Sequence, residues 1–105
     1  MNRKPLAQGF TAIRQLHFDC EPESGVCTLV LELARDETFS ADIVRLVFSD
    51  VSHLQVREVG GGLTQVLCLS IEDRKQDQLD RIRFFVGELE NENISFYCSR
   101  FVVEH

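Results

Sequence analysis

The sequence predicts an all-β fold, with about seven antiparallel strands in a small sandwich or partly open barrel. Apolar residues recur with period two along most of the chain, and turn formers fall between the alternating runs. About a third of the residues are Leu, Ile, Val or Phe, enough to fill the middle of one domain spanning residues 1–105.

The strands follow in order. Leu16, Phe18 and Cys20 alternate with His17 and Asp19, the mark of a half-buried strand. Glu21-Pro22-Glu23-Ser24-Gly25 is a turn, and the alternation resumes at Cys27, Leu29, Leu31 and Leu33, so the two runs read as a hairpin. Ala34 to Asp42 is polar and loop-like. Val44, Leu46 and Phe48 form the next strand, and Ser49-Asp50 marks a bend or bulge before a strand containing Leu54 and Val56. Gly60-Gly61-Gly62 can adopt the positive φ of a tight turn, which predicts a second hairpin into Leu63, Leu67, Leu69 and Ile71. Residues 79–89 satisfy two periods. Ile82, Phe84 and Val86 share one strand face, whereas Leu79, Ile82, Val86 and Leu89 share one helix face. The β-forming run Ile-Arg-Phe-Phe-Val and Gly87 favour the strand, with one short helix allowed near residues 74–80. An α+β fold with a helix at 77–89 is the alternative. A last strand carries Ile94, Phe96 and Cys98 on one face, with Tyr97, Phe101 and Val103 across.

Charge narrows the function classes. Eleven basic residues stand against 17 acidic ones, for a net charge of −6. The only basic clusters are Arg3-Lys4, Arg74-Lys75 and Arg81 with Arg83, each too small for the positive face that nucleic-acid binding needs. No run reaches the roughly 18 apolar residues of a membrane span, and residues 1–14 lack the apolar core of a signal peptide. These observations predict a cytoplasmic protein. In that compartment Cys20, Cys27, Cys68 and Cys98 are expected to remain thiols, although Cys20 and Cys27 flank a turn and can face each other across the hairpin. No C-x-x-C pair is present, and no metal or other cofactor is expected.

Candidate reaction centres reduce to local structure. Ser49, Asp50, Ser52 and His53 supply triad-like residue types, but so close in sequence they are better read as a polar bend. His17 and Asp19 share a strand face without a second ligand pair. No catalytic residue is assigned, which predicts a protein that is not an enzyme.

Aromatic residues are the more informative feature. Phe84 and Phe85 must point to opposite faces of a strand, as must Phe96 and Tyr97. Either loops cover both faces of the sheet, or one aromatic set is a contact surface. The expected protein-contact surface is Phe85, Tyr97 and Phe101, with a solvated acidic edge of Glu88, Glu90 and Glu92.

Residues 48–62, Phe-Ser-Asp-Val-Ser-His-Leu-Gln-Val-Arg-Glu-Val-Gly-Gly-Gly, and the closing Ile94-Ser-Phe-Tyr-Cys98 resemble small bacterial β-domains, some similar to immunity proteins of polymorphic toxin systems. The resemblance implies a cytoplasmic, non-catalytic protein whose surface binds another protein. Two other readings remain: a small-molecule-binding β-barrel or minor enzyme, and a self-associating structural domain that pairs with itself as a homodimer.

Overall fold

The computed structural model describes residues 3–7, 9–35, 42–57, 69–74, 83–88 and 93–104. These form nine strands: β1 (Arg3–Pro5), β2 (Ala12–Cys20), β3 (Cys27–Ala34), β4 (Ile43–Ser49), β5 (Ser52–Val56), β6 (Leu69–Asp73), β7 (Phe84–Glu88), β8 (Ile94–Cys98) and β9 (Arg100–Glu104). They build two antiparallel sheets, one of order β2-β3-β4-β9 and one of order β1-β6-β7-β8-β5. The fold is the all-β, sandwich-like arrangement the alternation predicts, and it does not close into a barrel.

Period-two patterning sets the layers. Leu29, Leu31 and Leu33 of β3 and Val44, Leu46 and Phe48 of β4 are fully buried on the inner face of the four-stranded sheet. Val86 of β7 and Ile94, Phe96 and Cys98 of β8 oppose them from the five-stranded sheet. The Phe48 and Phe96 rings meet edge to face, with centroids 4.7 Å apart, near the middle of this core. Side chains from both sheets fill the space between them, as in a sandwich.

Two strand pairs pass between the sheets at one corner. β4 pairs with β9 in one sheet, and their continuations β5 and β8 pair in the other. The first crossing is Asp50-Val51, with Asp50 in the left-handed region at φ 58°, a conformation aspartate tolerates better than most residues. The second is Ser99 alone. Ser99 N–H donates to the Ser49 carbonyl at 3.0 Å, and its hydroxyl donates to Asp50 Oδ2 at 2.9 Å, so the two turns brace one another.

Several expectations need correction. Nine strands replace seven, because Arg3–Pro5 pairs with β6 and the last predicted strand divides at Ser99. β1 has no alternation to reveal it, and its proline is tolerated because the strand lies at a sheet edge. The predicted hairpin between the Leu54 strand and the Leu69 strand does not form. β5 pairs with β8 and β6 with β1 and β7, so the two lie at opposite sides of the sheet; Gly60–Gly62 lie outside the described residues. Phe84–Glu88 is a strand, which excludes a helix running through 89; most of residues 74–80 also lies outside the described residues.

The cysteines differ as well. Cys20 and Cys27 form a disulfide, because the β2–β3 register sets them directly opposite with Cα atoms 3.9 Å apart. Cys98 is a buried thiol, and Cys68 lies outside the described residues.

The bridge closes a short loop at the turn end of the hairpin, so replacing Cys20 and Cys27 by alanine is expected to cost about 2 kcal/mol. Urea unfolding of both forms checks this. Phe96→Ala is expected to cost about 3–5 kcal/mol in the same measurement, because a ring buried between two sheets leaves a cavity.

Candidate functional site

The outer face of the five-stranded sheet carries the aromatic row that the sequence singles out. Phe85 lies opposite Tyr97 across β7 and β8, and Tyr97 lies opposite Ser52 of β5. The Phe85 and Tyr97 ring centroids are 5.1 Å apart. His53, turned by a bulge in β5 at φ 56°, sets its ring edge-on to Tyr97 at 5.6 Å. At the other end the Arg74 guanidinium stands over Phe85 at 5.6 Å and pairs with Glu72 at 3.4 Å. Phe85 and Tyr97 are half-buried and His53 is exposed. The arrangement offers stacking area together with the Tyr97 hydroxyl and the His53 ring nitrogens, the chemistry of protein-contact patches.

Beside this row the same face is shielded. Ser70 is 1% exposed and donates its hydroxyl to the Gly87 carbonyl at 3.0 Å, and Glu72 is 9% exposed. The face is therefore buried at β6 and accessible at β8 and β5, where Tyr97 and His53 lie.

The other predicted contact residues separate from it. Phe101 is core-facing, with its ring 5.2 Å from Phe84 and 6.4 Å from Phe48. Alternation carried straight from Tyr97 puts it outside, but the crossing at Ser99 transfers the strand to the other sheet and resets which side faces in. Glu88 is not at a solvated edge: it is 2% exposed, on the inward side of β7, and accepts the Asn93 N–H at 2.9 Å. Its carboxylate holds the start of β8. Glu90 and Glu92 lie outside the described residues.

Two further groupings have polar character. Asp50, Ser99, Arg100, Ser24 and Val26 line an open concavity of about 450 Å³ at the sheet corner. Ser52 and His53 are hydrogen-bonded at 3.2 Å, but Asp50 is turned to Ser99, so the triad-like residue types of this segment do not assemble. His17 and Asp19 are exposed on the outer face of the four-stranded sheet.

Sequence reasoning missed where exposed apolar area collects. Phe18 of β2, Val56 of β5 and Val102 and Val103 of β9 are the exposed large apolar residues among those described, and all lie on edge strands. Strand order decides this, and no local pattern reports it.

A two-sheet β domain with an accessible aromatic patch and no assembled triad among the described residues has the features of a binding module. The model of the family described as Immunity protein PIM8 matches residues 7–104, and the chain belongs to that family. Comparison with curated proteins and with solved structures gives no match.

One buried group near the corner titrates abnormally. Burial, followed by the Asp50 carboxylate, pushes the Cys98 thiol from 9.0 up to about 12. Above pH 9 an unfolded chain ionises this thiol while the folded chain keeps its proton. The unfolded state then binds fewer protons, and stability falls as pH rises from 9 towards 12. Between pH 8 and pH 10.5 this loss is expected to be about 1–2 kcal/mol in the native protein and absent from its Cys98→Val variant, read from urea unfolding of both.

Proposed function

We propose that the chain is a bacterial immunity protein that neutralises a toxin by binding it, without catalysis. The observation that carries this reading is the family match over residues 7–104. The accessible row of Tyr97, His53 and Phe85 supplies the contact chemistry, and Tyr97 at its centre is the anchor. The net charge of −6 favours a partner with a basic face, whose approach is steered by long-range attraction and screened by salt.

Inhibition by occlusion requires only complementary shape and charge. It therefore makes no demand for the nucleophile, base or metal cluster that hydrolysis of the toxin would need. Ser52 and His53 take part as polar contacts at the rim of the patch.

The test is co-expression with toxin-like products of the neighbouring genes, followed by calorimetry of any purified pair. Protection of growth and a one-to-one complex are expected, with affinity falling as salt rises. Tyr97→Ala is expected to weaken binding about tenfold or more while leaving the circular dichroism spectrum unchanged. A chain that neither protects nor binds overturns the reading, and full affinity in Tyr97→Ala removes the aromatic row from it.

A further inference from the structure

We propose that the edge of β9, which no other strand pairs with among the described residues, is a self-complementary interface through which two copies of the chain join their four-stranded sheets. The argument begins with hydrogen-bond direction. In an antiparallel ladder each residue bonds to one neighbouring strand, and the direction alternates from residue to residue. At the β2–β3 hairpin Glu21 N–H donates to the Val26 carbonyl at 2.9 Å, so Cys20 and Cys27 are a close, unbonded pair and Asp19 with Thr28 is a bonded one. Carried through the registers, Val30 bonds to β2, Leu29 and Leu31 to β4, and Val47 to β9. Val102 and Glu104 then bond inward to β4, in a ladder that opens with Ser99 N–H on the Ser49 carbonyl. The N–H and C=O groups of Phe101 and Val103 point to the open edge.

Only one antiparallel register of β9 with its own copy uses both pairs of outward groups. It sets Phe101 opposite Val103 of the second copy, and Val103 opposite Phe101. Val102 then faces Val102 across the two-fold axis as a close, unbonded pair about 4.5 Å apart. In this same register Arg100 lies opposite Glu104 of the second copy, twice by symmetry, on the outer face.

Side-chain chemistry fits each position. Val102 is 54% exposed and Val103 is 37% exposed, and the pairing covers both. Arg100 is an exposed cation in an acidic chain and makes no ion pair among the described residues. Glu104 is joined to Arg45 at 3.2 Å with half its side chain still exposed, and can take a second guanidinium. The outer-face ladder Glu32–Arg45–Glu104 then continues into Arg100 of the next copy with alternating sign. Opposite charges directly across a strand pair stabilise it, and like charges there oppose it.

This surface is separate from the aromatic row, which lies on the other sheet, so its test needs no toxin. Light scattering with size exclusion on the free chain, from low micromolar to near-millimolar concentration, is expected to show a mass rising to two chains. Arg100→Glu leaves each edge with two carboxylates, and Glu104→Arg leaves it with two guanidinium groups. Each substitution alone is expected to raise the dimer dissociation constant about tenfold or more. An equimolar mixture of the two variants is expected to restore the dimer, because each edge then meets its opposite. That recovery also shows that both variants fold. A single-chain mass at every concentration overturns the proposal, as does a dimer unaffected by either substitution or a mixture that stays monomeric.

Discussion

The two-sheet architecture depends on the corner where Ser99 donates to Asp50. Each sheet alone is greasy on one side, and the chain must carry both faces towards one another. Strands β4 and β9 do this by leaving their sheet together and continuing as β5 and β8. The left-handed Asp50 makes the first bend, and its side chain then satisfies the second. Once the corner is set, Phe48 and Phe96, one from each side of it, come into ring contact. The burial of Cys98 against the same aspartate belongs to this arrangement.

The corner also explains which parts of the fold were legible in the sequence. The β2–β3 hairpin was readable because pattern and pairing are both local there: alternation, a Pro-to-Gly turn, alternation again. β5 paired elsewhere than expected because the glycine run after it is a local signal, whereas its partner β8 lies some forty residues onward and is fixed by the corner. Phe101 was misplaced for a related reason. Alternation is a reliable guide only within a sheet, and one residue at a crossing exchanges inside for outside. Glu88 is a different case, since a carboxylate on an inward position becomes understandable only when the Asn93 amide it holds is in view.

The candidate contact surface was half visible. Neighbouring Phe85 and Tyr97 required one aromatic of each pair to leave the core, and the structure places those two together. His53 joins them only because a bulge in β5 turns its ring towards Tyr97. Edge strands could not be read at all, because being at an edge is a property of strand order. The apolar residues that remain exposed are concentrated there, where natural sheets usually place charge. On β9 the charges are present at both ends, and the valines lie between them.

The Cys20–Cys27 bridge has a consequence for the groove at the corner. Ser24 and Val26, which form part of its wall, belong to the six-residue turn that the bridge ties shut. Opposite them stand Asp50, Ser99 and Arg100, fastened by the strand crossing. One wall is thus fixed by hydrogen bonds and the other by hydrogen bonds and a covalent staple. That staple adds to the Glu21 N–H on the Val26 carbonyl and the Gly25 N–H on the Glu21 carbonyl, so both rims of the cleft are anchored close to their tips.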